Sequence, residues 1–230
     1  MTHPRLWKDS VKLMHIPLPF CVLAFATIGA SFAQRVYLDR LALTYIGISL
    51  PLCLTAYSLD ELHGRPYRTH FADRTLLIAA TLGIAGGGVV GIYLALVVSS
   101  YILILVLLAC FFVFAYNSEL FGGTFHNAAC FGFSWGGLST FGGFFVQSQT
   151  VTASSLLVSV MASLLSVSIL YLTHRFRPEE LSKKLGEQIP EAHLREYSRH
   201  ARRIAWSIAR IECYSVILLA AALIAPKIFM

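Results

Sequence analysis

The chain has 230 residues, 57% of them hydrophobic and only 13% charged, with a mean hydropathy of +0.68. Soluble domains carry about 25% charged residues, so a soluble globular fold is excluded, and the continuous apolar runs exclude a barrel of short alternating strands. The net charge of +6 does not argue for nucleic acid: the basic residues sit in short links between apolar runs, where positive-inside bias and anionic headgroups account for them.

The apolar runs predict an all-α, polytopic transmembrane helical bundle forming one membrane domain, 1–230. By the ~20-residue criterion for a span, about seven segments qualify: 17–34, 41–59, 75–98, 100–116, 126–147, 152–173 and 205–225. The first follows Arg5, Lys8 and Lys12, and Ser31-Phe32-Ala33 resembles a signal cleavage site. With so many spans after it, an uncleaved first helix is expected. Cys21, Cys53, Cys110, Cys130 and Cys213 fall inside apolar segments without a CxxC pair, so they are expected to be packing residues rather than disulfides or a zinc site.

Gly83, Gly87 and Gly91 recur every four residues in the third span, and Gly132 and Gly136 do so in the fifth. Small residues at that spacing let helix backbones approach. Gly86-Gly87-Gly88 lacks the Lys-Ser/Thr that a phosphate loop needs. Trp135, beside Gly136, is expected to pack and is a weaker candidate for lining a cavity. Pro190 to Ala225 reads as one long helix, with Glu191/Arg195 and Glu196/His200 four apart at its solvated start. Glu187 and Glu191 are also four apart, but Pro190 lies between them, so they are not a paired carboxylate motif. Arg210 and Glu212, early in the last span, mark a side of that helix facing protein, where they satisfy each other or other groups.

Charge sets the expected orientation. Segments 1–16, 58–74 and 174–204 hold fourteen of the 18 Lys and Arg residues, whereas Arg35, Arg40 and Lys227 fall at the opposite side. The N-terminus and these segments, with 117–125, are therefore expected in the cytoplasm and the C-terminus across the membrane. The expected residence is a prokaryotic cell membrane.

Three links at the cytoplasmic side hold the candidate chemistry. Asp60-Glu61-Leu62-His63-Gly64-Arg65-Pro66 places two acids, a histidine and an arginine where an apolar segment ends. Such groups are costly against lipid, so they line a protein cavity or meet water. On a helix Asp60 and Glu61 diverge by about 100°, and His63 shares the face of Asp60. Carboxylates hold a hard cation such as Mg²⁺, and arginines grip phosphate. Asp60, Glu61 and His63 are thus the candidate metal ligands, and Arg65 and Arg68 the candidate diphosphate ligands, with Arg74 beyond them. The competing structural account is a salt-bridged turn. The second link runs from Tyr116 to Asn127. Its isolated Glu119 needs a partner: a metal, an arginine or His126. Its Asn117 is a further diphosphate candidate. The third, His174 to Glu180, contributes Arg177, with Lys183 and Lys184 beyond, and a basic loop near anionic lipid is the favoured account of it.

The order of these parts resembles the UbiA superfamily of intramembrane prenyltransferases over about residues 5–180. A basic start, His-Pro-Arg-Leu-Trp-Lys at 3–8, precedes the first span. The second span ends in an acidic motif followed by Arg65-Pro66. A Tyr116-Asn117-Ser118-Glu119 link and a Gly-rich fifth span come next. The family's first motif is similar to Asn-Asp-x-x-Asp. Here Leu59 stands in the place of the Asn and His63 in that of the second Asp. Arg177, Glu179 and Glu180 occupy the place of a second Asp-rich motif, Glu119 stands near the place of a lysine, and about seven spans replace nine.

The resemblance implies a polyprenyl diphosphate with its tail between helices and its headgroup at the rim. Mg²⁺ on Asp60 and Glu61, with Arg65 and Arg68, would stabilise the leaving diphosphate. Glu119 or His126 would take the proton of a lipophilic acceptor. Two other functions remain open: a metalloenzyme using Asp60, Glu61, Glu119 and His126 with Mn, Fe or Zn, and a non-catalytic scaffold, lipid binder or complex subunit. The expected partners are membrane lipids and an isoprenoid diphosphate, with no nucleic acid; protein partners are left undefined. Whether the Asp60 run and the Glu119–His126 run meet discriminates between a site and a scaffold.

Overall fold

The structure is a computed structural model. It describes residues 7–10, 13, 18–174 and 191–229, with side chains at all of these except 173, 174, 191–198, 202 and 229. Helices cover the segments that hydropathy singles out, with no strand among the described residues. They are α1 (Leu18–Ser31), α2 (Leu38–Leu62), α3 (Asp73–Val97), α4 (Ile102–Asn117), α5 (128–148), α6 (Ala153–His174) and α7 (Glu191–Phe229). Among the described residues, four helices have the length and apolar character to cross a membrane: α2, α3, and the parts Ala153–Leu172 of α6 and Arg199–Ile228 of α7. Helices α1 and α4 are apolar but shorter.

Two helices depart from regular α geometry, each for a local reason. Pro51 has no N–H to give the ladder of α2, and the chain widens into a π-turn over Pro51–Ala56 before Tyr57–Leu62 resumes. In α5 the Asn127 side chain caps the start by accepting from the Cys130 amide at 2.9 Å, and Gly132–Leu138 then forms a second π-segment. Such bulges re-aim the side chains that follow them. The last helix runs on past Ala225, through Pro226, to Phe229; Pro190, expected in its first turn, lies outside the described residues.

Helix α1 is the axis of the bundle. Cys21, Val22, Ala24, Phe25, Ala26, Ile28 and Ala30 are all buried, against α5 on one side and α7 on another. Close approach requires small residues here. A Cβ on Gly29 would collide with the Thr140 carbonyl of α5, and one on Gly143 with that of Ala26. The glycine stripes act as their spacing predicts: Gly83 and Gly87 meet Leu50 and Pro51 of α2, and Gly132 and Gly136 meet the Ser163 and Ala162 carbonyls of α6. One buried cluster joins α1, α6 and α7 through Phe25, Ile28, Ile169 and Val216. A second, Leu94, Ala95, Ile102, Phe145 and Val146, closes one end of α3, α4 and α5.

The outer surface is apolar. Leu82, Leu96, Leu107, Leu157, Met161 and Leu218 are all more than 60% exposed. A belt of this size exceeds what a soluble monomer exposes and has the composition of a lipid-facing surface.

Polar contacts sort the links to two ends. At one end the Tyr37 amide donates to Gln147 Oε1 at 2.7 Å, Arg40 donates to the Val146 carbonyl, and Lys227 Nζ donates to the Ala33 carbonyl at 3.1 Å. The links 63–72 and 118–127 lie at the other end.

Candidate functional site

Glu61 is fully buried where α2 ends. Its Oε1 accepts from the Thr69 amide (2.7 Å) and hydroxyl (2.9 Å), and its Oε2 accepts from the Tyr67 amide at 2.9 Å. One carboxylate therefore organises the link that follows the helix. Arg65 completes it: its guanidinium lies 4.0 Å from Glu61, donates to the Phe71 carbonyl at 2.7 Å and pairs with Asp73 at the start of α3. Arg65 and Arg68 both hold positive φ, 53° and 51°, in this tight path. A further strap comes from the N-terminal region. Asp9, buried, accepts from the His70 amide at 3.1 Å and lies 2.9 Å from His70 Nδ1.

Asp60 points elsewhere, as its 100° offset requires. Its Oδ2 accepts a long bond, 3.4 Å, from the Tyr67 hydroxyl. The ionisable side chains within electrostatic reach of it, His63, His126 and Glu119, come from both links. The Asp60 run and the Glu119–His126 run thus meet at one end of the bundle. Around Asp60 the hydroxyls of Tyr57 and Ser58 are buried without a hydrogen-bond partner among the described residues, as is that of Ser118 next to Glu119.

The second link is built on turns. Glu119, Phe121, Gly122 and Gly123 all hold positive φ, and Glu119 is exposed and joins none of the ion pairs among the described residues. His126 is anchored from below: its Nδ1 lies 2.9 Å from the Tyr116 carbonyl, and its ring stacks on Tyr116 with centroids 4.4 Å apart. That leaves Nε2 as the ring nitrogen turned away from this anchor. Asn117 is buried, with its amide nitrogen donating to the Val113 carbonyl at 2.6 Å.

Tyr116 and Asn117 also line a cavity of about 160 Å³. Its walls come from α2 (Gly47, Ile48, Pro51, Leu52), α3 (Gly87, Val90, Gly91, Leu94), the length of α4 from Ile102 to Asn117, and α5 (Ser134, Trp135, Leu138, Gly142, Val146). The lining is almost wholly apolar. Trp135 both lines it and stacks on Phe131 at 4.6 Å.

The expected diphosphate set divides. Arg65 is committed to Glu61, Phe71 and Asp73, Arg68 is exposed, Asn117 sits at the cavity end, and Arg177 lies outside the described residues with the rest of the 175–190 link. The expected metal set does not come together. Glu61 has both oxygens occupied by donors, His63 Nδ1 lies 3.1 Å from the Leu59 carbonyl, and only Asp60 keeps an oxygen to give. Among the described residues no three His, Cys, Asp or Glu side chains form a group able to hold a metal ion. All five cysteines are free thiols. Arg210 and Glu212 do not satisfy each other: Glu212 Oε1 accepts from Ser168 of α6 at 3.1 Å, and Arg210 is exposed. Sequence patterns gave no sign of Tyr57, Ser58, Tyr67 and Thr69, because hydroxyl residues in or beside apolar runs are common; only their nearness to the acidic pair singles them out.

Comparison with protein-family models, with curated proteins and with solved structures gives no match.

Proposed function

We propose that this chain is a UbiA-like membrane protein that holds an isoprenoid diphosphate, with the chain in the cavity and the headgroup at the Asp60–His126 end, and passes the prenyl group to a lipophilic acceptor. The observation that supports this most is the continuity of two environments. An apolar cavity ends at Tyr116 and Asn117, Tyr116 stacks on His126, and His126 acts on Asp60. A ligand with a long apolar chain and a compact polar head suits that sequence of surfaces.

In this reading all seven helices cross the membrane, with the shorter α1 held inside the bundle and α4 turning Ile104, Leu107 and Phe114 outward to lipid. Arg68 and His63 attract the diphosphate. They stabilise its negative charge as the carbon–oxygen bond breaks. The Tyr116 ring face lies at the cavity end, where it favours the allylic cation. His126 Nε2 then takes the acceptor's proton, a role that a fixed imidazole performs near neutral pH. The Asp60 carboxylate, within electrostatic reach, stabilises the imidazolium that this forms.

A second reading, a non-catalytic binder of isoprenoid lipids, is favoured by the use of Glu61 and Arg65 as loop structure and by the scattered metal candidates. Purified protein, incubated with labelled prenyl diphosphates and a mixture of phenolic and lipid acceptors, with Mg²⁺ and after chelation, separates the two. Transfer that falls at least tenfold in His126→Gln and Asp60→Asn supports the enzyme. Binding without transfer selects the lipid binder, and neither binding nor transfer sinks both.

A further inference from the structure

One end of the cavity is lined by buried, mutually packed side chains. Ile102 and Asn117 both line it at opposite ends of α4, fifteen residues apart, or ~22 Å at 1.5 Å per residue. At the Ile102 end, Leu94, Ile102 and Val146 belong to a buried cluster with Ala95 and Phe145. Leu94, Ile102 and Val146, each no more than 4% exposed, thus form a packed wall of the cavity at that end, and the ~22 Å stretch is shorter than the ~30 Å hydrocarbon core. Near this floor the wall carries Gly142, one helical turn from Val146. A Cβ at Gly142 would meet nothing within 4 Å, in contrast to Gly143 beside it, where the Ala26 backbone leaves no room. Gly87 and Gly91 of the facing wall are likewise filled in front by Pro51 and Val106. Gly142 is thus the glycine of this lining whose missing side chain is room in the cavity itself.

We infer that the floor formed by Leu94, Ile102 and Val146, together with the space left at Gly142, is a length gauge that limits the isoprenoid chain this site accepts. The inference rests on the isoprenoid reading above and adds which residues set the specificity. A side chain at position 142 projects into the lower part of the cavity and removes about one helical turn, ~5 Å, of usable depth. Trimming Ile102 deepens the floor. Neither position belongs to the polar end, so headgroup recognition is unaffected by either change.

The test is a binding series read by native mass spectrometry of the detergent-solubilised protein. The probes are geranyl, farnesyl, geranylgeranyl and a longer polyprenyl diphosphate, offered in equimolar competition. The wild type is expected to retain one length best. Gly142→Leu should lower retention of that length at least tenfold and favour the next shorter probe, and Ile102→Ala should move the preference to the next longer one. Thermal unfolding of each variant is followed alongside, and Gly142→Ala serves as a milder second variant should Gly142→Leu unfold. If the wild type binds the series and neither position 142 variant changes the length preference, the gauge is overturned and the isoprenoid reading stands. If the wild type binds no member, the isoprenoid reading falls and the gauge falls with it.

Discussion

Glu61 and Asp60 are adjacent acids with different work, and the difference lies in what reaches their oxygens. Glu61 is sealed and receives two backbone amides and a hydroxyl. Replacing it by Gln keeps the shape but turns an N–H₂ toward amides that need an acceptor. Hydrogen bonds to a charged group are worth ~1.5–3 kcal/mol each, so Glu61→Gln should lower stability by about 3 kcal/mol, measured as a fall in unfolding temperature in detergent. Asp60 has a single long bond from Tyr67. Asp60→Asn should change stability by less than about 1 kcal/mol while lowering transfer at least tenfold. If the two variants exchange these outcomes, the assignment of one acid to structure and the other to the site is wrong. The sequence makes both acids visible and gives their divergence on a helix, but not their partners. Tyr67 and Thr69 donate through their backbone amides, which no residue pattern records. His126 is legible as a candidate, whereas its anchoring on Tyr116 depends on the positive-φ turns at Glu119, Phe121 and Gly122.

At the scale of helices, the apolar runs locate each element to within a few residues, because burial in lipid or in a bundle demands a continuous apolar stretch in either case. For the same reason hydropathy does not tell a span from a short interior helix, and α1 and α4 are shorter than the runs that contain them. The π-segments are half legible: Pro51 announces the first, and nothing in Gly132–Leu138 announces the second. Glycine spacing is informative about close approach but not about which glycine is at the contact. Gly29 stands alone in the sequence and yet faces the Thr140 backbone, whereas Gly88, within a glycine triplet, has nothing within 4 Å of an added Cβ. Gly29→Ala should force α1 and α5 apart and cost ~1–3 kcal/mol or more. Gly88→Ala should instead gain about 1 kcal/mol of helix stability. Equal effects of the two, in thermal unfolding of the purified variants, would mean that the α1–α5 contact is not as close as described.

For the whole molecule the remaining question is which end faces the cytoplasm. The contacts group the links into two ends: the 32–37 link, the 148–152 link and Lys227 at one, and the 63–72 and 118–127 links at the other. Charge supplies the direction: the segments 1–16, 58–74 and 174–204 hold fourteen of the 18 Lys and Arg residues, against Arg35, Arg40 and Lys227 at the opposite side. Lys and Arg near span ends are retained on the cytoplasmic side, so the polar site should open to the cytoplasm and receive a water-borne headgroup from there. Single cysteines at two exposed positions test this. Thr150→Cys should react with a membrane-impermeant maleimide in intact cells. Thr124→Cys should react only after the cells are permeabilised, with the five native thiols setting the background. The reversed pattern would place Asp60 and His126 outside. A diphosphate made in the cytoplasm would then not reach them directly, and the prenyl-transfer reading would lose its supply of substrate even with the cavity intact.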